Sequence, residues 1–237
     1  MSSALSSSIE TYFVSNPLTA PTILDNGPGR YRIGLIALAS DYVVERDFMN
    51  MRPSDDVAIY VSRILNVNPC TVENLRTMGP RLADAASLVI PDGRLDAMVY
   101  CCTSGTAAMG YDTVADNIRT VRPNIPVVTP ITAGLRALQQ FDAKQIAVLT
   151  PYTPDVNESL VRYIEARGPR VTATTSFHFA DDNDMARIPV EAIIRAAKEA
   201  DRDDAEALFI SCTCLLYTSP SPRDQRGSGL AGCAWKK

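Results

Sequence analysis

The stretch "LDAMVYCCTSGTAAMGYDTVADNIRTV", residues 95–121, decides the fold. Its first eight residues, apolar apart from Asp96, end in two cysteines and read as a strand. The residues after the cysteines are Ala-rich and helically spaced, with Thr103 and Ser104 as the N-cap candidates. A strand that passes directly into a helix is the building unit of an α/β protein. The same junction returns at "AEALFISCTC", residues 205–214, where Cys212 stands in the place of Cys102.

Working outward, "RIGLIAL" (32–38) and "VAIYVSRI" (57–64) read as strands. "TVENLRTMGPRLADAASLV" (71–89) has helical spacing with Thr71 as its cap and a break at Gly79-Pro80. "IPVVTP" (125–130) is a strand and "TAGLRALQQF" (132–141) a helix. The pattern then restarts. "QIAVLTPY" (145–152) is a strand, and "DVNESLVRYIEARG" (155–168) a helix with Asp155 near its start and Gly168 just past its end. "RVTATTSF" (170–177) is a strand, and "PVEAIIRAAKEA" (189–200) a helix with Pro189 in its first position. "AEALFISC" (205–212) closes the series as a further strand.

This alternation predicts an α/β fold with parallel sheets. Two pieces recur: "IGLIALAS" begins at Ile33 and "IAVLTPYT" at Ile146, 113 residues apart, while Cys102 and Cys212 lie 110 apart. Buried parallel strands all look alike, so the Cys-Thr shared by the two strand ends carries the comparison. The expectation is two pseudo-symmetric half-domains, residues 31–142 and 143–214. Residues 1–30, rich in Ser, Pro, Thr and Asn, read as a flexible arm.

Composition removes several function classes. The 237 residues carry a formal net charge of −4, which offers no basic field to a polynucleotide, so no nucleic-acid partner is expected. No secretion-signal pattern opens the chain and no apolar run approaches the ~18 residues of a membrane span, so a cytoplasmic protein with free thiols is expected. With His178 as the single histidine, a His-based nucleophile system would have to rest on one residue in an acidic loop region, and a His-rich metal site is ruled out. Cys101-Cys102 and Cys212-x-Cys214 do not have the spacing of a zinc site, and neither G-x-G-x-x-G nor a Walker A motif is present. No metal and no cofactor are expected.

What remains is one thiol at the end of a strand in each half. Ligands of open α/β sheets sit beyond the carboxyl ends of the strands. A cysteine there meets the start of the next helix, an environment that lowers a thiol pKa from about 8.5. Thr103, Ser104 and Gly105 offer hydroxyls and free N–H groups of the sort that bind a carboxylate or a developing enolate. Two thiols facing each other across a cleft can remove a proton on one side and return one on the other. The bland alternative is that strand-end cysteines are small core residues. Strand alternation sends Cys101 and Cys102 to opposite faces, and Cys102, next to the Thr-Ser-Gly turn, is the one read as exposed. Cys70 and Cys233 have no such setting and read as incidental.

Together, "RIGLIALASDYVVERDF", "VYCCTSGTA", "VVTPITAGLRAL", "IAVLTPYTPDVNESL" and "LFISCTCL" resemble the aspartate/glutamate racemase superfamily. The match falls in its maleate cis-trans isomerase and arylmalonate decarboxylase branch, closest to racemase-like proteins of ectoine utilisation, and covers about residues 31–215. The resemblance implies two α/β half-domains with the active site between them, and Cys102 and Cys212 in the two catalytic positions. It places Thr103 and Ser104 at the substrate carboxylate, Tyr152 on the tyrosine that supports it, Asn157 on the asparagine of the same segment, and Thr213 among the substrate-binding residues. Asp41, in "ASDYVVE", stands where maleate isomerases carry a substrate-contacting asparagine, a departure that bears on maleate as the substrate. Decarboxylases of the branch keep only the second cysteine, so a pair implies a cofactor-independent racemase or cis-trans isomerase of a small carboxylic acid. An arylmalonate-type decarboxylase and an inactive carboxylate-binding protein are the alternatives. Apolar helices of this kind commonly pair subunits, so a homo-oligomer is an expectation as well.

In the family, the second cysteine is followed by a helix, a strand and a closing helix. Here "LYTSPSPRDQRGSGLAGCAWKK" (216–237) holds Pro220, Pro222 and no period, and "LLYTSPSPRD" resembles a translated sequencing adapter. Residues 215–237 are therefore expected to be a non-native tail, and the second half-domain to be incomplete, without its last strand.

Overall fold

The computed structural model describes residues 16–218 and 234–236. The first half of the expected arm, most of the expected tail and Cys233 lie outside the described residues. Residues 16–30 form neither helix nor strand and are exposed along nearly their whole length.

The first half runs β1 (Tyr31–Leu38), α1 (Val44–Met51), β2 (Val57–Ile64), α2 (Val72–Arg76), a 3-10 turn (Gly79–Arg81) and α3 (Leu82–Ser87). It continues through β3 (Ala97–Tyr100), α4 (Thr103–Met109), α5 (Tyr111–Arg119), β4 (Val127–Val128) and α6 (Pro130–Gln140). The second half runs β5 (Gln145–Thr150), α7 (Pro154–Glu165), β6 (Arg170–Ser176), α8 (Asp182–Met185), α9 (Val190–Ala200) and β7 (Ala207–Ile210). A 3-10 segment (Thr213–Thr218) and β8 (Ala234–Lys236) come last.

The two sheets have the same strand order, β2-β1-β3-β4 and β6-β5-β7-β8. All pairings are parallel except that of β8 with β7, which is antiparallel. Register repeats as well: Ile33 stands opposite Ala97, and Ile146 opposite Ala207. The second sheet therefore does have a fourth strand, contrary to the expectation that it lacks one, but three residues run the other way where the first half has β4.

Each sheet is covered on both faces, which is why its central strands are apolar throughout. Leu35, Ala37, Val99 and Cys101 point outward against Val44 of α1. Ala147, Leu149 and Leu208 do the same against Ala200 near the end of α9. The opposite faces share one core, in which Ile36, Tyr100 and Ile131 of the first half join Ile146, Val148, Leu160 and Phe209 of the second. Burying each such aliphatic side chain is worth about 1.5–3 kcal/mol, so the shared core joins the halves firmly.

Local chemistry explains most boundaries. Thr71 caps α2 by accepting from the Asn74 amide, and the helical stretch after it breaks at Gly79-Pro80 as its sequence dictates. The expected single helix after residue 102 is interrupted at Gly110, whose φ of 86° belongs to the left-handed region. Pro189 precedes α9 as its N-cap instead of occupying the first helical position, because its ψ of 151° is extended. Two short helices, α1 and α8, were not legible in the sequence. Their starts depend on Asp41 and Asp181, side chains that only the folded loops aim at backbone amides.

Candidate active site

The first junction carries the first thiol. Cys102 is still extended (φ −136°, ψ 112°), and its Sγ accepts the Gly105 amide at 3.2 Å. Its carbonyl accepts from the Thr106 amide (3.2 Å) and hydroxyl (2.8 Å). Cys102 is therefore the N-cap of α4, and Thr103 and Ser104, the expected caps, are its first helical residues. The reason is that extended geometry ends at Cys102 and does not continue through Thr103, so the helix starts one residue earlier and the thiol lies over its first turn. Gly105 is required there, because a Cβ would lie 2.9 Å from Cys102 Sγ and 2.5 Å from Tyr100 Oη. No hydrogen bond among the described residues engages the Thr103 and Ser104 amides, as expected for a first helical turn.

The electrostatics differ from the expectation of a lowered pKa. Burial pushes the Cys102 thiol up to about 12, while the Ser104 hydroxyl, 3.6 Å from the sulfur, and the Gly105 amide act in the opposite direction. Cys102 is 4% exposed, so it is not the solvent-facing member of its pair in the sense expected. Alternation does hold: Cys102 packs with the shared core, and Cys101 with the outer cluster. Both nevertheless border the same cavity.

The second junction is built differently. Cys212 is half-buried and has φ 100°, a conformation that costs a non-glycine residue about 1–3 kcal/mol. Such strain persists only where surrounding contacts impose it. Ser211 donates its amide to Leu149 O at 2.9 Å, and Cys212 O accepts from Leu215 at 3.1 Å to start the 3-10 segment. The strand thus turns sharply and leaves the thiol at the bend. Cys214, two residues on, is pushed well above the usual thiol range by its interaction with the Cys212 side chain and by burial.

Thr213 donates its hydroxyl to Asp41 Oδ2 at 3.0 Å. The other Asp41 oxygen accepts from the amides of Val43 (2.8 Å) and Val44 (2.9 Å), and so starts α1. Arg63 holds this loop by donating to the carbonyls of Leu38, Ala39 and Asp41. Asp41 therefore borders the cavity with both carboxylate oxygens engaged, as a joint between the halves.

Tyr152, 2% exposed, reaches the cavity from the end of β5. Burial raises its phenol well above the usual range, and the Cys212 and Cys102 thiols add to the effect. Asn157 does not line the cavity. It lies one layer behind, accepting from the Thr150 hydroxyl at 2.6 Å and donating to Tyr152 O at 3.0 Å. Its role is to hold the Tyr152 backbone.

Seven of the eight expected residues thus border one small cavity: Asp41, Cys102, Thr103, Ser104, Tyr152, Cys212 and Thr213. The sequence reading missed Ser40 and Asp182, which also line it. Asp182 comes from the second half and accepts from the Asn66 amide of the first at 2.5 Å, with the Ser40 hydroxyl at 3.5 Å. Its carboxyl is raised chiefly by burial. Nothing in "FADDNDM" distinguishes this aspartate from its neighbours; the long-range contact selects it. Cys70, read as incidental, is buried against the site, and its thiol is raised by burial and by Asp182, Cys102 and Cys212. His178 is exposed and does not line the cavity. Among the described residues no cluster of three His, Cys, Asp or Glu side chains could hold a metal ion.

The molecule is thus an α/β protein of two equivalent half-domains, each sending one strand-end thiol into a shared cavity. The chain belongs to the arylmalonate decarboxylase family, whose model matches residues 96–231. Maleate isomerase of Nocardia farcinica is 25% identical over 202 residues, spanning 81% of this chain and 80% of that protein. Maleate isomerase of Alcaligenes faecalis is 26% identical over 223 residues (86% and 87%). Arylmalonate decarboxylase of Bordetella bronchiseptica is 28% identical over 110 residues (45% of each). In three dimensions the chain resembles a mutant Nocardia farcinica maleate cis-trans isomerase with a covalently bound succinylcysteine intermediate (TM-score 0.71, 22% identity, 83% and 84% covered). It also resembles the maleate isomerase of Pseudomonas putida S16 with maleate (TM-score 0.69, 23% identity, 77% and 78% covered). These likenesses establish the fold: two half-domains with parallel sheets.

Proposed function

We propose that the protein is a cofactor-independent isomerase of a small carboxylic acid, with Cys102 and Cys212 as its catalytic residues. The observation that carries this reading is that both thiols, one from each half-domain's equivalent strand end, border a single cavity. The hydroxyls of Thr103 and Ser104 and their free amides stand beside Cys102, where a substrate carboxylate would bind and where charge would collect on an enediolate.

Two balanced routes fit this geometry. In a racemisation, one cysteine as thiolate takes the α-proton and becomes a thiol, the electron pair moves into the carboxylate as an enediolate, and the opposite thiol gives its proton to the other face. In a cis–trans isomerisation, a thiolate adds to one carbon of an activated double bond and the pair moves into the conjugated carboxylate. The new single bond rotates, and expulsion of the thiolate restores the double bond. That second route has a counterpart in the succinylcysteine intermediate carried by the Nocardia farcinica relative. Decarboxylation needs only one proton donor, so the second thiol favours isomerisation.

Either route begins with a thiolate, which burial disfavours at Cys102. The Ser104 hydroxyl and Gly105 amide already oriented on the sulfur would stabilise that anion once formed. The test is incubation in deuterated water with aspartate, glutamate, maleate and an arylmalonate, scored for α-deuteration, isomerisation and carbon dioxide release. At least one acid is expected to be deuterated or isomerised, and Cys102→Ala and Cys212→Ala are each expected to lower that rate by about 10²-fold or more. Undiminished turnover in both variants would remove the thiols from the mechanism. Binding without turnover of any acid would make the protein a carboxylate-binding module.

A further inference from the structure

Among the described residues the cavity holds two carboxylates and no cation: Asp41 and Asp182 line it, and no described Lys, Arg or His does. The nearby Arg63 is taken up by three backbone carbonyls and by Glu45. The two acids are not equivalent. Asp41 has donors on both oxygens, the Val43 and Val44 amides on one and the Thr213 hydroxyl on the other. Asp182 receives the Asn66 amide and the Ser40 hydroxyl on Oδ2, while no hydrogen bond among the described residues reaches its Oδ1. Asp182 therefore keeps an acceptor for something else.

Its position is held rather than loose. Cys70 donates its amide to Ala180 O (2.7 Å), Asn68 donates to Asp181 Oδ1 (3.1 Å), and the Asp182 amide donates to Asn68 Oδ1 (3.2 Å). Tyr42 donates its hydroxyl to Asn183 Oδ1 at 2.8 Å. The segment 180–183 of the second half is thus strapped onto two loops of the first, with Asp182 at the cavity.

A ligand with two carboxylates would bring its second negative charge into this field with no cation to meet it. A ligand whose second polar group is a protonated nitrogen would supply the donor that Asp182 Oδ1 lacks and the positive charge that the cavity lacks. Building on the reading of Thr103 and Ser104 as a carboxylate site, we propose that Asp182 determines specificity here, selecting a monocarboxylate that carries a cationic nitrogen over a dicarboxylate.

The test compares two unreactive acids of similar length, 4-aminobutanoate and succinate, by titration calorimetry against the full chain at pH 7.5. The wild type is expected to bind 4-aminobutanoate at least about tenfold more tightly, and Asp182→Asn to erase or invert that ratio. A ratio moved by one side chain is a readout that general loosening of the fold would not produce. Succinate bound as tightly as 4-aminobutanoate by the wild type, or a ratio unchanged in Asp182→Asn, would overturn the inference. If neither acid binds the wild type, the underlying carboxylate-site reading fails and takes the inference with it. Should Asp182→Asn not fold, Asn66→Ala, which removes the amide holding the carboxylate, is read for the same loss of preference.

Discussion

Asp47 shows how a single residue can work against the fold. It lies in the first turn of α1, is buried, and has one carboxylate oxygen with no hydrogen-bond partner. Burial, and then the charge of Asp41, raise its pKa to about 6 from an ordinary 3.8. An acid whose pKa is raised by folding keeps its proton in the native state while the unfolded chain has lost it, so stability falls as pH climbs from about 4 to 6. Asp47→Asn should therefore raise Tm at pH 7 by about 2–4 °C, which corresponds to about 1 kcal/mol after allowance for solvent screening. The gain should vanish below about pH 4; a gain that stays constant across pH would point to packing instead of charge. Cys102 behaves likewise at the other end of the scale. Its thiol is held protonated to about 12, so the protein should lose stability as pH rises above about 9, where an unfolded thiol ionises. Thermal melts between pH 8 and 10.5 should show a shallower decline for Cys102→Ala than for the wild type.

At the scale of elements, α6 of the first half packs closely on β7 of the second. A Cβ on Gly134 would lie 2.5 Å from Phe209 Cε2, closer than atoms can pack, so glycine at this helical position lets the helix rest on the aromatic ring. Gly134→Ala should destabilise by about 1–3 kcal/mol despite the better helix propensity of alanine. Phe209→Leu in the same chain should recover part of the loss, and denaturant titration of the single and double variants measures the coupling. Strands were legible in the sequence because central parallel strands are apolar on both faces, and "RIGLIAL" or "QIAVLT" has no other stable setting. The helices α1 and α8 were not, because α1 is started by an aspartate whose other oxygen is bound to Thr213, 172 residues away. Likewise, Thr103 and Ser104 have the composition of caps, but where strand ends and helix begins is decided by the sulfur of Cys102 accepting the Gly105 amide.

For the whole molecule, the two halves share one apolar core and a polar strap, so they should unfold together. A single transition, coincident by far-UV circular dichroism and tyrosine fluorescence, is the expected outcome; two separated transitions would mean that each half holds its own core. The duplication itself could be read from the sequence. Cys-Thr recurs at two strand ends, and the register of Ile33 with Ala97 and of Ile146 with Ala207 carries that repeat into the sheets. The sequence by itself determined the α/β alternation, the paired half-domains and the two thiols, since each comes from local apolar period or from a repeated word. Tertiary structure alone decided which residues meet in the cavity. It placed Asn157 behind Tyr152, brought Asp182 across from the other half, and buried Cys102 so deeply that its thiol is held protonated where the sequence pointed to a lowered pKa. The physical reason is range: period and capping act over a few residues, whereas burial and charge depend on atoms that only the closed fold brings together.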